Sequence, residues 1–355
     1  MKTILITGGA GFVGSSLALL FKQQNESLRI ICLDNLSRRG SELNVARLLK
    51  QGIEFAHGDV RNPEDLAKIG QVDCLIECSA EPSVHAGYGQ SPAYLINTNL
   101  IGLINCLEFL RERGGDLVFL STSRVYPISD LRNLPLNPVD KRFVLAESGT
   151  LAGVSEGGIS ESFSLKGARS LYGATKLCGE ILIQEYANMY GLRAIINRCG
   201  VLAGPWQMGK VDQGFMALWV ARHRLGGELK YMGFGGEGLQ VRDVLHVNDL
   251  FELIQLQMKE ITTFQNEIYN VGGGLQNSVS LAELSQIVQA ITQKSCHIGT
   301  DPVTRDADIP YYVTDISKIK HKANWEPKQT IENIVHDIDA WLQSASKEIH
   351  AVFQN

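Results

Sequence analysis

The chain has 355 residues, with 33 Lys plus Arg against 38 Asp plus Glu and a formal net charge of −5. It carries no basic block, so nucleic acid and anionic membrane surfaces are poor partners for it. At 44% apolar and 20% charged residues it can build a packed core and is not a disordered chain.

The length calls for about two domains at roughly 150 residues each. Glycine is in surplus, 35 of 355 against a usual value of about 7%, which points to tight turns. In chain order, Thr3–Thr7 reads as a short β-branched strand halted by Gly8. A helix follows from Phe12 to about Gln23, with Val13, Leu17, Leu20 and Phe21 on one face. This start imitates a signal peptide, but four glycines interrupt it and no small-residue cleavage site follows, so it is expected to belong to the fold. A second buried strand at 28–33 stops at Asp34. Further strand-like runs lie at 53–56, 74–78, 117–120 and 194–197, with helical stretches such as 93–113 and 173–190 between them. Apolar strands separated by helices predict a parallel sheet covered on both faces.

The second half is more broken. Gly/Pro-rich stretches at 199–214 and 233–240 bracket a helix near 215–225. A strand at 268–271 runs into Gly272-Gly273-Gly274, a helix is expected over Leu281–Thr292, and a last helix near 330–345 is followed by a polar tail. Residues 127–170 form a long Gly/Ser/Pro-rich segment, which in a compact protein is usually functional. Its glycines (Gly149, Gly153, Gly157, Gly158, Gly167) suggest a mobile cover. No uninterrupted apolar run reaches about 18 residues, so no membrane span is expected. Seven widely spaced cysteines suit reduced thiols in a cytoplasmic protein, and none has the neighbours of a metal site.

Three motifs carry chemistry. Gly8, Gly11 and Gly14 sit between the first strand and the first helix. There the first glycine makes the turn, the second lets a pyrophosphate approach, and the third allows helix and strand to pack. Asp34 ends the second strand twenty residues after Gly14, placed for a ribose 2′-hydroxyl, which favours NAD; Arg38 and Arg39 leave room for the 2′-phosphate of NADP. Asp59-Val60 follows the next strand and can meet the adenine, or serve as a plain turn or cap. Tyr172 and Lys176, four apart on a helix, share a face. A free tyrosine has a pKa near 10, and a neighbouring ammonium favours its phenolate, making it a usable base. Ser121-Thr122-Ser123 ends the strand at 117–120, the edge where ligands bind in open α/β sheets.

Together the glycine fingerprint, Asp34, Thr122 four residues before Tyr126, and Tyr172 with Lys176 resemble the extended short-chain dehydrogenases/reductases that act on nucleotide sugars. The resemblance covers nearly the whole chain. Arg242-Asp243 with His246 and Asp249, then Asn270-Val-Gly, Arg305 and Trp325-Glu-Pro327, recur in order in that family. It implies an α/β fold: a Rossmann-type doubly wound parallel sheet with a smaller C-terminal α/β substrate lobe. The Rossmann domain is expected over 1–199, with 240–268 returning to it, the nucleotide-sugar lobe over 200–239 and 269–345, and a polar tail over 346–355.

The resemblance also implies roles. Thr122, Tyr172 and Lys176 would be catalytic. NAD would be held by Gly8, Gly11, Phe12, Val13, Gly14, Asp34, Asn35, Ser37, Arg38, Asp59, Val60, Ser79, Ala80 and Asn99, together with Tyr172 and Lys176. The nucleotide-diphosphate sugar would meet Ser123, Arg124, Gln213, Arg242 and Arg305, the two last matching arginines that grip the diphosphate. No metal is implied, and a homodimer through helices such as 93–113 and 173–190 is.

Within that family the sugar 4,6-dehydratases carry an Asp-Glu pair after the threonine, and the UDP-glucuronate decarboxylases usually a glutamate where Arg124 stands. Ser123-Arg124 disfavours both. The segments 33–38, Asp212-Gln-Gly214, 240–246, and Asn277-Ser278 before Ser280-Leu281 look most like the CDP-tyvelose (CDP-paratose) 2-epimerases. That resemblance implies oxidation of a sugar hydroxyl to a transient ketone and re-reduction on the other face. The chain departs from the family pattern at Val201, at Pro127 and at Cys78-Ser-Ala-Glu81, all on the sugar side. A UDP-glucose 4-epimerase would use the same catalytic residues. A non-catalytic dinucleotide-sensing module, the alternative of another class, would typically lose the Tyr/Lys pair.

Overall fold

In the computed structural model, residues 2–146, 151–209 and 213–354 are described; Gly149 and Asp212 of the segments above lie outside them. The chain forms two compact units. The first comprises Met1–Val125, Leu171–Arg198 and Leu250–Tyr269; the second comprises Tyr126–Ser170, Cys199–Asp249 and Asn270–Asn355.

Seven strands build the sheet of the first unit. From one edge to the other they are Glu267–Val271, Ala194–Cys199, Asp116–Thr122, Cys74–Glu77, Thr3–Thr7, Arg29–Asp34 and Glu54–His57. Numbered along the chain, this is the order 3-2-1-4-5-6-7 read backwards, the doubly wound Rossmann arrangement. Leu5 aligns with Ile31 on one side and Leu75 on the other in parallel register, and all three are within 3% of full burial. Helices close both faces, which is why these strands read as continuous apolar runs. Leu103, Cys106, Leu107 and Leu110 of one covering helix join Leu117, Phe119 and Ile183 in a single cluster.

That helix, Ala93–Arg113, amends the expectation about membranes. It has the length and apolarity of a span, but half of its apolar window is buried inside the protein, as in an ordinary core helix. A π-helical turn interrupts it at Asn97–Ile101.

The second unit carries a small sheet in the order Val201–Ala203, Val241–His246, Ser278–Ser280, with Tyr311–Tyr312 also paired to Val241–His246. Glu228–Met232 pairs in parallel with His297–Asp301. The helices Phe215–Leu225, Leu281–Thr292 and Ile331–Ser344 pack on one another. Trp219 donates to Ser285 Oγ at 2.9 Å, and Arg224 grips Asp339 at 2.6 Å. Ser280 and Glu283 form a reciprocal capping box that starts the second of these helices.

Two expectations are corrected here. The described residues of the segment after 125, expected with the Rossmann domain as a mobile cover, belong to the second unit and are tied to it by hydrogen bonds and one isolated bridge, Ile159 with Thr314. They form two hairpins, Leu136–Val139 with Arg142–Leu145 and Val154–Ser155 with Gly158–Ile159. Phe143 N donates to Leu239 O at 2.9 Å, Ser280 Oγ to Lys141 O at 2.6 Å, and Ile159 N to Val313 O at 2.7 Å. Their polar composition hid the hairpins, and the residues that tie them down, Leu239, Ser280 and Val313, lie far along the chain. The polar tail is instead a helix, Lys347–Gln354. Its spacing of Ile349 and Phe353 puts both on one face, and both are buried, Phe353 against the Trp341 ring.

Candidate active site

The glycine turn follows the first strand, where the strand order reverses. Gly8 has φ +62°, a left-handed conformation that a side chain disfavours. A Cβ there would also lie 2.7 Å from the carbonyl oxygen of Cys78, at the end of the adjacent strand. A Cβ on Gly14 would stand 2.3 Å from Gly8 O. Gly11, at the N-cap of helix Phe12–Gln24, has no side chain to cover the helix end, and no acidic residue occupies the first turn. Backbone N–H groups at a bare helix N-terminus suit a pyrophosphate, so the residues present fit a dinucleotide.

The residues expected on the adenosine side sit at the ends of the next two strands. Asp34 Oδ2 accepts from Ala10 N at 3.0 Å and Oδ1 from Leu36 N at 2.8 Å. Burial pushes its carboxyl up, against the pull of those backbone N–H groups. Asn35 reaches across with Nδ2 to Asp59 Oδ2 at 2.8 Å, and its Oδ1 accepts from Ser37 N at 3.0 Å. Burial alone would raise Asp59, but Arg61, at 2.5 Å, and Asn35 outweigh it and hold the carboxyl at about 2. Burial lowers the Arg38 guanidinium, with Glu81 opposing. Val60 is buried, and its carbonyl accepts from Asn105 at 2.8 Å.

Asn99 lies in the π-helical turn and is buried. Its Oδ1 accepts from Glu81 N at 2.8 Å, and its Nδ2 donates to Glu81 O at 3.1 Å and to Thr175 Oγ1 at 3.3 Å. It ties the loop that holds Ser79 and Ala80 to the helix that holds Tyr172 and Lys176. All of the expected cofactor and catalytic residues therefore fall in the first unit.

Strand Asp116–Thr122 delivers Thr122 at its C-terminal end, with Oγ1 accepting from Arg124 N at 3.2 Å in the turn Ser123–Val125. Tyr172 opens helix Leu171–Tyr190 and is half-buried; Lys176, one turn on, is 2% exposed. Its Nζ meets Glu77 Oε2 at 3.2 Å and lies 4.4 Å from the centroid of the Phe119 ring. Burial works against the ammonium, yet Glu77 and Tyr172 hold it above its ordinary value. Burial pushes the Glu77 carboxyl up, and the ammonium opposes that rise.

Sequence reasoning missed Glu77, although a glutamate closing an otherwise apolar strand is a signal, since buried carboxylates need partners. It also missed Glu180, one turn beyond Lys176. Glu180 accepts from Arg198 at 2.6 Å and from Ser121 Oγ at 2.5 Å, all three within 4% of full burial.

Of the expected sugar-side residues, Ser123 and Arg124 belong to the first unit and Gln213, Arg242 and Arg305 to the second. Arg242 donates to Val241 O at 2.7 Å and Ile309 O at 2.6 Å, and Arg305 pairs with Asp308 at 3.2 Å. The same turn receives Arg132, which donates to Asp308 O at 2.8 Å. Among the described residues no group of three or more His, Cys, Asp or Glu is arranged to hold a metal ion.

Known proteins resemble the chain over nearly its whole length. The chain is 29% identical to a CDP-paratose 2-epimerase of Salmonella typhi, over 96% of this chain and 99% of that protein. It is 28% identical to a dTDP-glucose 4,6-dehydratase of Streptomyces niveus, over 96% and 92%. Among solved structures, a dTDP-glucose 4,6-dehydratase from Bacillus anthracis in complex with NAD superposes with a TM-score of 0.78 at 25% identity, covering 99% of this chain and 100% of that one. The sequence profile of the NAD dependent epimerase/dehydratase family matches residues 4–272. The chain belongs to that family of enzymes, and NAD is its cofactor.

Proposed function

We propose that this enzyme is a nucleotide-sugar epimerase acting at C2 of a CDP-sugar, interconverting CDP-paratose and CDP-tyvelose. The observation that carries the reading is the pairing of Tyr172 and Lys176 with Ser123-Arg124, rather than two acids, beside Thr122. A tyrosine base next to an ammonium serves hydroxyl oxidation, whereas elimination needs a second acid/base pair. Likeness to the Salmonella typhi enzyme across nearly both full lengths supports the sugar assignment.

In this mechanism Tyr172 takes the sugar hydroxyl proton, and Thr122 donates a hydrogen bond to the same oxygen. Lys176 keeps the phenolate accessible. When bound, NAD would supply the hydride chemistry at the carbon that bears this hydroxyl. The glycine turn and the helix at Phe12 would hold its pyrophosphate, and Asp34 a ribose hydroxyl. Tyr172 then gives the proton back after the sugar has presented its other face, inverting the centre. Arg242 and Arg305 would hold the diphosphate and Gln213 the sugar nucleotide.

The test is incubation of the purified enzyme with CDP-paratose and with UDP-glucose, following C2 and C4 by NMR. Inversion at C2 of the first is expected. Turnover of UDP-glucose at C4 with none of CDP-paratose overturns the assignment in favour of a 4-epimerase.

We further propose a cytoplasmic homodimer. The odd number and wide spacing of the seven cysteines support the compartment. Exposed Tyr94, Ile101, Ile181, Met189 and Tyr190 on Ala93–Arg113 and Leu171–Tyr190 support pairing of these helices between copies. Sedimentation of the purified protein as a monomer at micromolar concentration would remove the second proposal.

A further inference from the structure

We propose that Glu77 is a positioning residue for the reaction: from the end of its strand, its carboxylate holds the Lys176 ammonium charged and aimed beneath Tyr172. This rests on the reading of Tyr172 as the base and Lys176 as its ammonium partner. The geometry is that of a built pair. Glu77 is 3% and Lys176 2% exposed, and Nζ stands 3.2 Å from Oε2. The Phe119 ring lies under the ammonium at 4.4 Å, so the strand Asp116–Thr122 offers it a π face. Glu77 is fixed in turn by a backbone hydrogen bond from Ser79.

The other titratable groups that face the pair are few. Tyr172 acts on Lys176 from its own helix, Cys78 from the chain just past Glu77, and Cys106 stands near both from helix Ala93–Arg113. Burial keeps the Cys106 thiol well above its usual range, so it remains neutral. Among these groups, Glu77 is the counter-charge of Lys176.

Two effects of the carboxylate oppose each other at Tyr172. Its negative charge disfavours a phenolate directly. It also keeps protonated an ammonium that, buried without a partner, falls by several pKa units and becomes neutral near neutral pH. Lys176 is one helical turn from Tyr172, and loss of its whole charge outweighs relief from the carboxylate behind it. The net role of Glu77 is therefore to favour the phenolate through Lys176.

The experiment compares wild type, Glu77→Gln and Glu77→Asp as purified holoenzymes. The phenolate of Tyr172 is titrated by ultraviolet difference absorbance, with Tyr172→Phe subtracted, and kcat and KM are measured against pH. In Glu77→Gln the phenolate midpoint should rise by a pH unit or more, and kcat near pH 7.5 should fall at least tenfold with KM little changed. Glu77→Asp should lie between. A midpoint that is unchanged or lower, or a kcat loss equal at every pH, overturns the proposal. If Glu77→Gln does not fold, Glu77→Asp carries the test: a midpoint rise supports the proposal and an unmoved midpoint overturns it. Failure of the underlying reading looks different, since Tyr172→Phe would then retain full turnover whatever Glu77 does.

Discussion

Two buried ion pairs use the helix Leu171–Tyr190 one turn apart, and they are built differently. At Glu180, Arg198 donates from Nε to both carboxylate oxygens, at 3.0 and 3.1 Å, and from a terminal nitrogen at 2.6 Å, while Ser121 adds a fourth bond. At Glu77, Lys176 makes one contact of 3.2 Å. A guanidinium is a rigid fork that never loses its charge, whereas an ammonium is a point charge whose pKa moves readily when buried. Burial is the same in both places, so chemistry sorts them. The arginine pair is a strut locking helix to sheet, and the lysine pair is an adjustable charge beside the tyrosine proposed as the base. Tyr172, Lys176 and Glu180, at intervals of four, line one face.

The comparison breaks first at Tyr172. Tyr172→Phe should lower turnover about 10²–10⁴-fold, the usual contribution of a general base, while the protein keeps its NAD and its denaturation midpoint. Loss of NAD together with turnover would mean that the hydroxyl serves binding instead. One turn further along the helix the expectation inverts. Arg198→Met strands the Glu180 carboxylate away from water and should cost about 3–5 kcal/mol of stability, read from urea unfolding. Because the strut does not face the chemistry, the shape of the pH–rate profile of the folded fraction should not change. A shift in that profile would erase the distinction between the two pairs.

Legibility in the sequence followed the same division. The strands at 3–7 and 28–33, the turn Gly8–Gly14 and the pair Tyr172/Lys176 were readable because each is local: a run, a turn or a helical spacing. Asn99 was expected at the cofactor, and its side chain is placed to bind the loop at Glu81 and the helix at Thr175. Glu77 and Arg198 meet their partners across 99 and 18 residues, and no local pattern announces such a pairing. Residues 127–170 were opaque for the same reason: their hairpins are fixed by Leu239, Ser280 and Val313, far along the chain. The helix after 346 was misread because its polar residues outnumber the two, Ile349 and Phe353, that bury it.

A third carboxylate, Asp59, sharpens the contrast through pH. Its folded value of about 2 is below the usual carboxylate value of 3.8, so it contributes stability above about pH 4 that is lost as pH falls toward 2. With solvent screening allowed for, the contribution is on the order of 1 kcal/mol. The stability gap between wild type and Asp59→Asn should therefore narrow between pH 5 and 3; a gap that stays constant would mean that Arg61 and Asn35 do not hold the charge. The smallest effect is expected where burial is absent. Arg29 and Glu54 form a bidentate pair at 2.7 and 2.8 Å, better on distance alone than Lys176 with Glu77, yet both side chains are about half exposed. Water and salt screen such a pair, so Glu54→Gln should change the unfolding free energy by about 0.5 kcal/mol or less. If it changed stability as much as Arg198→Met, distance rather than burial would be ranking the pairs, and the separation of strut from adjustable charge would lose its physical basis.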